Sequence, residues 1–165
     1  MNKEYFNETE QTDWEKLVLL NDTIKAFESI TQMPEKHYFD ASGITKDGRE
    51  AIIELKTRKA ILTDDFRASS STFISDDLFI EDHKASDILF EAISLNSEPL
   101  YINFLEDGHT IIFNLLRTKR RPKRHKNILI KSEGYQRMEF ANRQGLYISD
   151  SAIYDKAGNL VHKPL

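Results

Sequence analysis

The chain has no cysteine among its 165 residues, which excludes a disulfide framework and a thiolate metal cage and suits a reducing compartment. Its five histidines, His37, His83, His109, His125 and His162, are too scattered for a short-spaced zinc pattern. Glycine and proline are sparse, at six and four, and gather in no linker-like run, so neither a repeat nor an internal boundary divides the chain. No apolar stretch approaches the roughly 20 residues that span a bilayer, and the start, MNKEYFNETE, lacks the basic and then apolar plan of a secretory signal. No membrane partner is expected, and the expected location is cytoplasmic.

What is present suffices for one core. A hydrophobic fraction of 39% at this length predicts a single domain over 1–165. The net charge of −4 argues against a nucleic-acid partner, but its distribution reverses that impression. The run RTKRRPKRHK, Arg117 to Lys126, holds seven of the 23 Lys and Arg and no acid, which leaves 16 cations against 27 acids elsewhere, a net of −11. A weakly acidic body carries one strongly basic loop.

Apolar residues at three- and four-residue steps, Trp14, Leu17, Val18, Leu20, Ile24, Phe27 and Ile30, predict a helix from Asp13 to about Ile30, capped by Thr12 or Asp13 and stopped before Pro34. HYFDASGITKDGREAIIELKTR, His37 to Arg58, reads as two strands around a tight turn. The serine-rich stretch after it reads as a loop. Leu78 to Ile80 reads as a short strand leading into a helix from about His83 to Leu95, capped by Asp82, with Ile88, Leu89, Ala92 and Ile93 inward. Leu100 to Leu105 and Thr110 to Leu116 form a second hairpin, and short strands follow over 127–162. The predicted class is α/β (α+β), and it is α/β in the strict sense if the strand after the second helix runs parallel to its neighbour.

The first hairpin carries Asp40, Glu54 and Lys56 among apolar residues. Glu54 and Lys56, two apart, share a strand face. Asp40 depends on the turn. A two-residue Asp47-Gly48 turn sends it to the opposite face, whereas a three-residue Lys46-Asp47-Gly48 loop with Gly48 left-handed pairs Thr45 with Arg49 and sets Asp40 opposite Glu54. The sequence permits both. Burial favours the second, which gathers Phe39, Ala41, Gly43, Ala51, Ile53 and Leu55 on one face and Asp40, Ser42, Glu54 and Lys56 on the other. Two carboxylates directly across a ladder repel and call for a cation, from Lys56 or a hard divalent ion.

Asp40 followed across a turn by Glu54-Leu55-Lys56, with a helix before and strand, helix and strand after, resembles the PD-(D/E)XK nuclease superfamily over about 14–105. Phe39 stands where the motif has proline. The resemblance implies a restriction-endonuclease-like core, a central mixed β-sheet flanked by helices, with the basic loop 117–126 and the strands of 127–162 as additions. It also implies that Asp40 and Glu54 hold Mg²⁺ or Mn²⁺ and that Lys56 positions the nucleophile or stabilises charge on the phosphate. Many members add a glutamate from the first helix. Glu10, Glu15 and Glu28 compete for that place, and Glu28 is preferred because it lies on the Leu17 and Ile24 side at helical spacing.

Arg117, Lys119, Arg120, Arg121, Lys123, Arg124 and Lys126 are expected to meet nucleic-acid phosphates, DNA before RNA, giving affinity with little base specificity. Glu81, Asp82, His83 and Lys84 read as a helix start, with Lys84 a second candidate phosphate contact. The expected function is a metal-dependent nuclease that hydrolyses DNA phosphodiester bonds. The alternative is a catalytically silent nuclease-fold protein that binds nucleic acid or serves a nucleoprotein or phage assembly, as a homo-oligomer or otherwise.

Overall fold

A computed structural model describes residues 11–131 and 138–164. In chain order it has α1 (Asp13–Ile24), β1 (Phe27–Gln32), β2 (Ala41–Thr45), β3 (Glu50–Arg58), the two-residue strands β4 (Ile61–Leu62), β5 (Ala68–Ser69) and β6 (Ile74–Ser75), then β7 (Asp77–Glu81) and α2 (Asp82–Leu95). There follow β8 (Glu98–Leu105), β9 (Thr110–Asn114), β10 (Lys123–Lys131), β11 (Met138–Tyr147), a 3-10 turn (Ile148–Asp150), β12 (Ala152–Tyr154) and β13 (Leu160–His162).

Thr12 opens α1 with a reciprocal cap. Its hydroxyl accepts from the Glu15 N–H at 3.2 Å, and the Glu15 carboxylate accepts from the Thr12 N–H at 2.8 Å. The helix ends six residues before the predicted limit. Lys25 takes the left-handed conformation, and the Asn21 amide grips the Phe27 backbone, accepting its N–H at 2.8 Å and donating to its carbonyl at 3.2 Å. Phe27 and Ile30 fit a helical period by spacing alone, yet they belong to β1, an edge strand antiparallel to β2. Gly43 lets β1 approach: a Cβ there would lie 3.0 Å from both the Phe27 ring and the Ser29 carbonyl.

Seven strands form the central sheet in the order β1-β2-β3-β8-β9-β12-β13. β3 and β8 run parallel, joined through β7 and α2, and the other neighbouring pairs are antiparallel. The strand after α2 thus runs parallel to its neighbour, the condition for α/β in the strict sense. The remaining pairs are antiparallel, so the sheet is mixed and the class is α/β at this one crossover and α+β as a whole. The expected order of a helix, a hairpin, a strand, a helix and a strand is present, with β1 added before the hairpin. Helices flank both faces. Leu17 and Leu20 of α1 pack on Ala51, Ile53, Leu55, Ile102 and Phe104, and Ala85, Ile88 and Ala92 of α2 pack on Ile52, Tyr101 and Phe113. Among the described residues, no helix is long and apolar enough to cross a membrane.

Several local expectations are corrected. α2 starts one residue earlier, with Glu81 at the cap position, and Asp82 instead accepts from the Gln144 side-chain amide at 2.6 Å. Ile93 points to solvent because the buried stripe runs through Ala85, Ile88 and Ala92. Phe39 packs with Ile52 on the α2 side, since the chain enters the ladder only at Ala41. The C-terminal strands divide: β12 and β13 extend the central sheet, while β10 and β11 form a second sheet with β7. The basic run is half loop and half strand, because β10 begins at Lys123.

Candidate active site

The β2–β3 connection takes the three-residue form. Thr45 N–H donates to the Arg49 carbonyl at 2.8 Å, Gly48 N–H donates to the Thr45 carbonyl at 2.8 Å, and Gly48 has φ +79°, where a side chain would be strained. Ile44 pairs with Glu50, Gly43 with Ala51, Ser42 with Ile52 and Ala41 with Ile53. Asp40 lies just before this ladder, close enough to Glu54 for its carboxylate to act on it. Asp40 N–H donates to the Ile53 carbonyl at 3.0 Å, and its carboxylate accepts from the Leu55 N–H at 2.8 Å. The exposed Asp40 side chain is thus tethered to the strand that carries Glu54.

Glu54 is only 3% exposed. One of its carboxylate oxygens, Oε1, ion-pairs with Lys84 from the first turn of α2, and the other, Oε2, is buried with no hydrogen-bond partner. Burial pushes the Glu54 carboxyl up to about 7, with the Asp40 charge adding to the rise and Lys84 opposing it. Lys84 itself is held above the ordinary lysine value: burial works against its charge, but the Glu54 contact outweighs that.

Strand alternation puts Lys56 and Arg58 on the Glu54 face. Together with Phe79, Glu81, Lys84, Tyr101 and Arg143 they surround a cleft of about 70 Å³. Lys56 is exposed and has no carboxylate partner among the described residues. Arg58 is fixed by neutral acceptors: its Nε donates to the Asn103 side-chain oxygen at 3.0 Å, and an Nη donates to the Tyr101 hydroxyl and the Phe79 carbonyl. The Tyr101 hydroxyl in turn donates to the Phe79 carbonyl at 2.8 Å, and burial raises its pKa, so it stays neutral.

Of the glutamates considered for a third ligand, Glu15 is engaged in the α1 cap, Glu10 lies outside the described residues, and Glu28 is not on a helix. Glu28 is exposed at the irregular step of the β1 ladder between Phe27 and Ser29, toward the opposite end of β1 from Asp40. No cluster of three or more His, Asp or Glu suited to a metal occurs among the described residues.

Arg117, Lys119, Arg120, Arg121, Lys123 and Arg124 are all exposed. Arg117 pairs with Glu98 at 2.6 Å and Lys123 with Asp76 at 3.0 Å, and the cations of Arg120 and Lys123 lie 4.8 and 5.0 Å from the Tyr147 ring centre. Lys119, Arg121 and Arg124 make no such pair among the described residues. The Lys126 side chain lies outside what is described. A roomier groove of about 450 Å³, between α1 and the turns at Gly108 and Gly158, lies on the α1 side of the sheet and includes none of Asp40, Glu54 or Lys56.

Sequence spacing missed Arg58, although period-two alternation from Glu54 through Lys56 points to it. Tyr101 and Asn103 follow from the parallel register, which sets them beside Glu54 and Lys56. Nothing local announces Arg143, which the second sheet delivers from β11.

No protein-family model matches the chain. No curated protein matches it either. Among solved structures it is similar to Hjc, a Holliday junction resolvase from the archaeal hyperthermophile Archaeoglobus fulgidus, at 15% identity and a TM-score of 0.45, over 80% of this chain and 95% of that one. A likeness of that size carries no argument about substrate or mechanism.

Proposed function

We propose that the protein is a metal-dependent nuclease that hydrolyses DNA phosphodiester bonds at Asp40, Glu54 and Lys56. The observation that carries this reading is the closeness of two carboxylates, Asp40 tethered to the Leu55 N–H just beyond the β2–β3 ladder and its carboxylate acting directly on the buried Glu54. A like-charged pair of this kind gains nothing for the fold on its own. Two carboxylate groups with water access through the exposed Asp40 fit Mg²⁺ or Mn²⁺, which commonly bind through one or two carboxylates and keep several waters. A bound divalent ion would supply a more acidic water and a Lewis acid for the phosphate oxygen.

The chain's own residues then divide the work. Asp40 and Glu54 would hold the ion, and the Leu55 N–H fixes the Asp40 carboxylate in place. Lys56, without a carboxylate partner, is placed to orient the attacking water or to meet charge developing on the phosphate. Lys84 holds one Glu54 oxygen and is the second candidate contact for a phosphate. Lys119, Arg121 and Arg124 supply grip on the backbone.

The test is cleavage of single-stranded, double-stranded and branched DNA with Mg²⁺ or Mn²⁺, compared with Asp40→Asn and Lys56→Ala. Cleavage by wild type alone supports the reading. The absence of cleavage of every substrate with both metals favours the silent, nucleic-acid-binding alternative.

A further inference from the structure

The cleft beside Glu54 is electrostatically lopsided. Lys56, Arg58, Lys84 and Arg143 line it with Glu54 and Glu81, and Asp40 stands beside Glu54, so four cations meet three acids in a chain whose overall charge is −4. Glu54 is paired with Lys84, whereas Glu81 lies 3.3 Å from the His83 ring and directly opposite Arg143 in the β7–β11 ladder. Neither Arg58 nor Arg143 forms an ion pair with a carboxylate among the described residues.

These two side chains are nonetheless held in place. Arg58 is tied to Asn103, Tyr101 and the Phe79 carbonyl, which use only part of its five donors. Arg143 reaches in from β11, its guanidinium 5.9 Å from the centre of the Phe79 ring. Phe79 thus sits between the two cations, bonded to one through its carbonyl and facing the other with its ring. Two part-buried guanidiniums, neither ion-paired to a carboxylate, repel each other unless an anion joins them.

The cleft is small and open to solvent, so a phosphate of a strand lying across its mouth can reach both guanidiniums. Planar guanidinium forks match such an oxyanion through paired hydrogen bonds.

We propose that Arg58 and Arg143 form an anion subsite beside the carboxylate pair that takes a phosphate of the bound strand. The nuclease reading enters only in naming nucleic acid as the carrier of that phosphate. Arg143 lies outside the 14–105 core, so the second sheet is not an ornament: it completes the subsite.

The experiment measures the affinity of a short single-stranded DNA, with and without a 5′-phosphate, in EDTA so that no cleavage occurs. Arg143→Gln is expected to weaken binding about tenfold. Arg143→Lys, which keeps the charge and the packing over Phe79 but loses the fork, should fall between it and wild type. Lys46→Gln, which removes one charge at the β2–β3 turn, is the control and should stay near wild type. A loss confined to the 5′-phosphorylated strand identifies a terminal phosphate as the guest, and an equal loss on both strands identifies an internal one. Either result supports the subsite. It is overturned if Arg143→Gln binds both strands as well as Lys46→Gln does, or if wild type binds neither. A wild type that binds in this way but never cleaves would remove the nuclease reading and leave the subsite standing.

Discussion

Lys84, in the first turn of α2, ion-pairs with Glu54 in the middle of β3, across thirty residues of chain. The pair ties the second helix to the strand that bears the candidate metal ligand. Lys84→Met would leave Glu54 buried with neither oxygen satisfied. The variant is expected to lose on the order of 1–2 kcal/mol in urea unfolding at pH 8 without metal, less than a fully buried pair would lose because the Lys84 side chain is 43% exposed. Adding Glu54→Gln should recover most of the loss, because the stranded charge is then gone. An unchanged midpoint in the single variant would mean the contact has no energetic weight.

The raised Glu54 carboxyl predicts an unusual pH dependence. Below 4.5 the group is protonated in both folded and unfolded chains. Between 4.5 and about 7 the unfolded chain releases the proton while the folded one keeps it, so the folded state binds more protons and stability falls as pH rises. The full effect is on the order of 3 kcal/mol at 1.36 kcal/mol per pH unit, present as a constant penalty above about 7. Other groups titrate over the same range, so the quantity to measure is the difference between wild type and Glu54→Gln. That difference should grow in favour of Glu54→Gln from pH 4.5 to 7 and then level off.

The basic run should act unevenly. Lys119, Arg121 and Arg124 are exposed without carboxylate partners among the described residues, whereas Arg117 and Lys123 are paired with Glu98 and Asp76. Replacing the first three with glutamine should flatten the slope of log affinity against log salt by roughly 2 to 3, at about 0.9 per phosphate contact on duplex DNA. Replacing Arg117 and Lys123 should change it less, since these already share their charge. A slope unchanged by the triple substitution would make the run a solvated edge rather than a grip.

The β2–β3 register was legible because it is a local matter: period-two alternation, one glycine able to take positive φ, and an apolar set that only one turn length keeps together. Glu28 went to the wrong kind of element because Phe27 and Ile30 satisfy a helical step, and the residue that ends α1, Lys25, gives no glycine or asparagine signal. The partners of Glu54 were mostly hidden. Lys84 showed itself only as a cation at a helix start, and Arg143 arrives through β11 pairing with β7, a contact some sixty residues long in sequence that no pattern in either strand encodes.

The most direct test of the central claim joins activity to stability in one variant. Glu54→Gln keeps the shape of the side chain and removes the buried charge, so the purified variant should melt at or above the wild-type temperature in EDTA while losing Mg²⁺- and Mn²⁺-dependent cleavage of DNA. Loss of activity in a chain at least as stable as wild type assigns Glu54 to chemistry rather than to folding. Cleavage by Glu54→Gln at the wild-type rate would contradict the account.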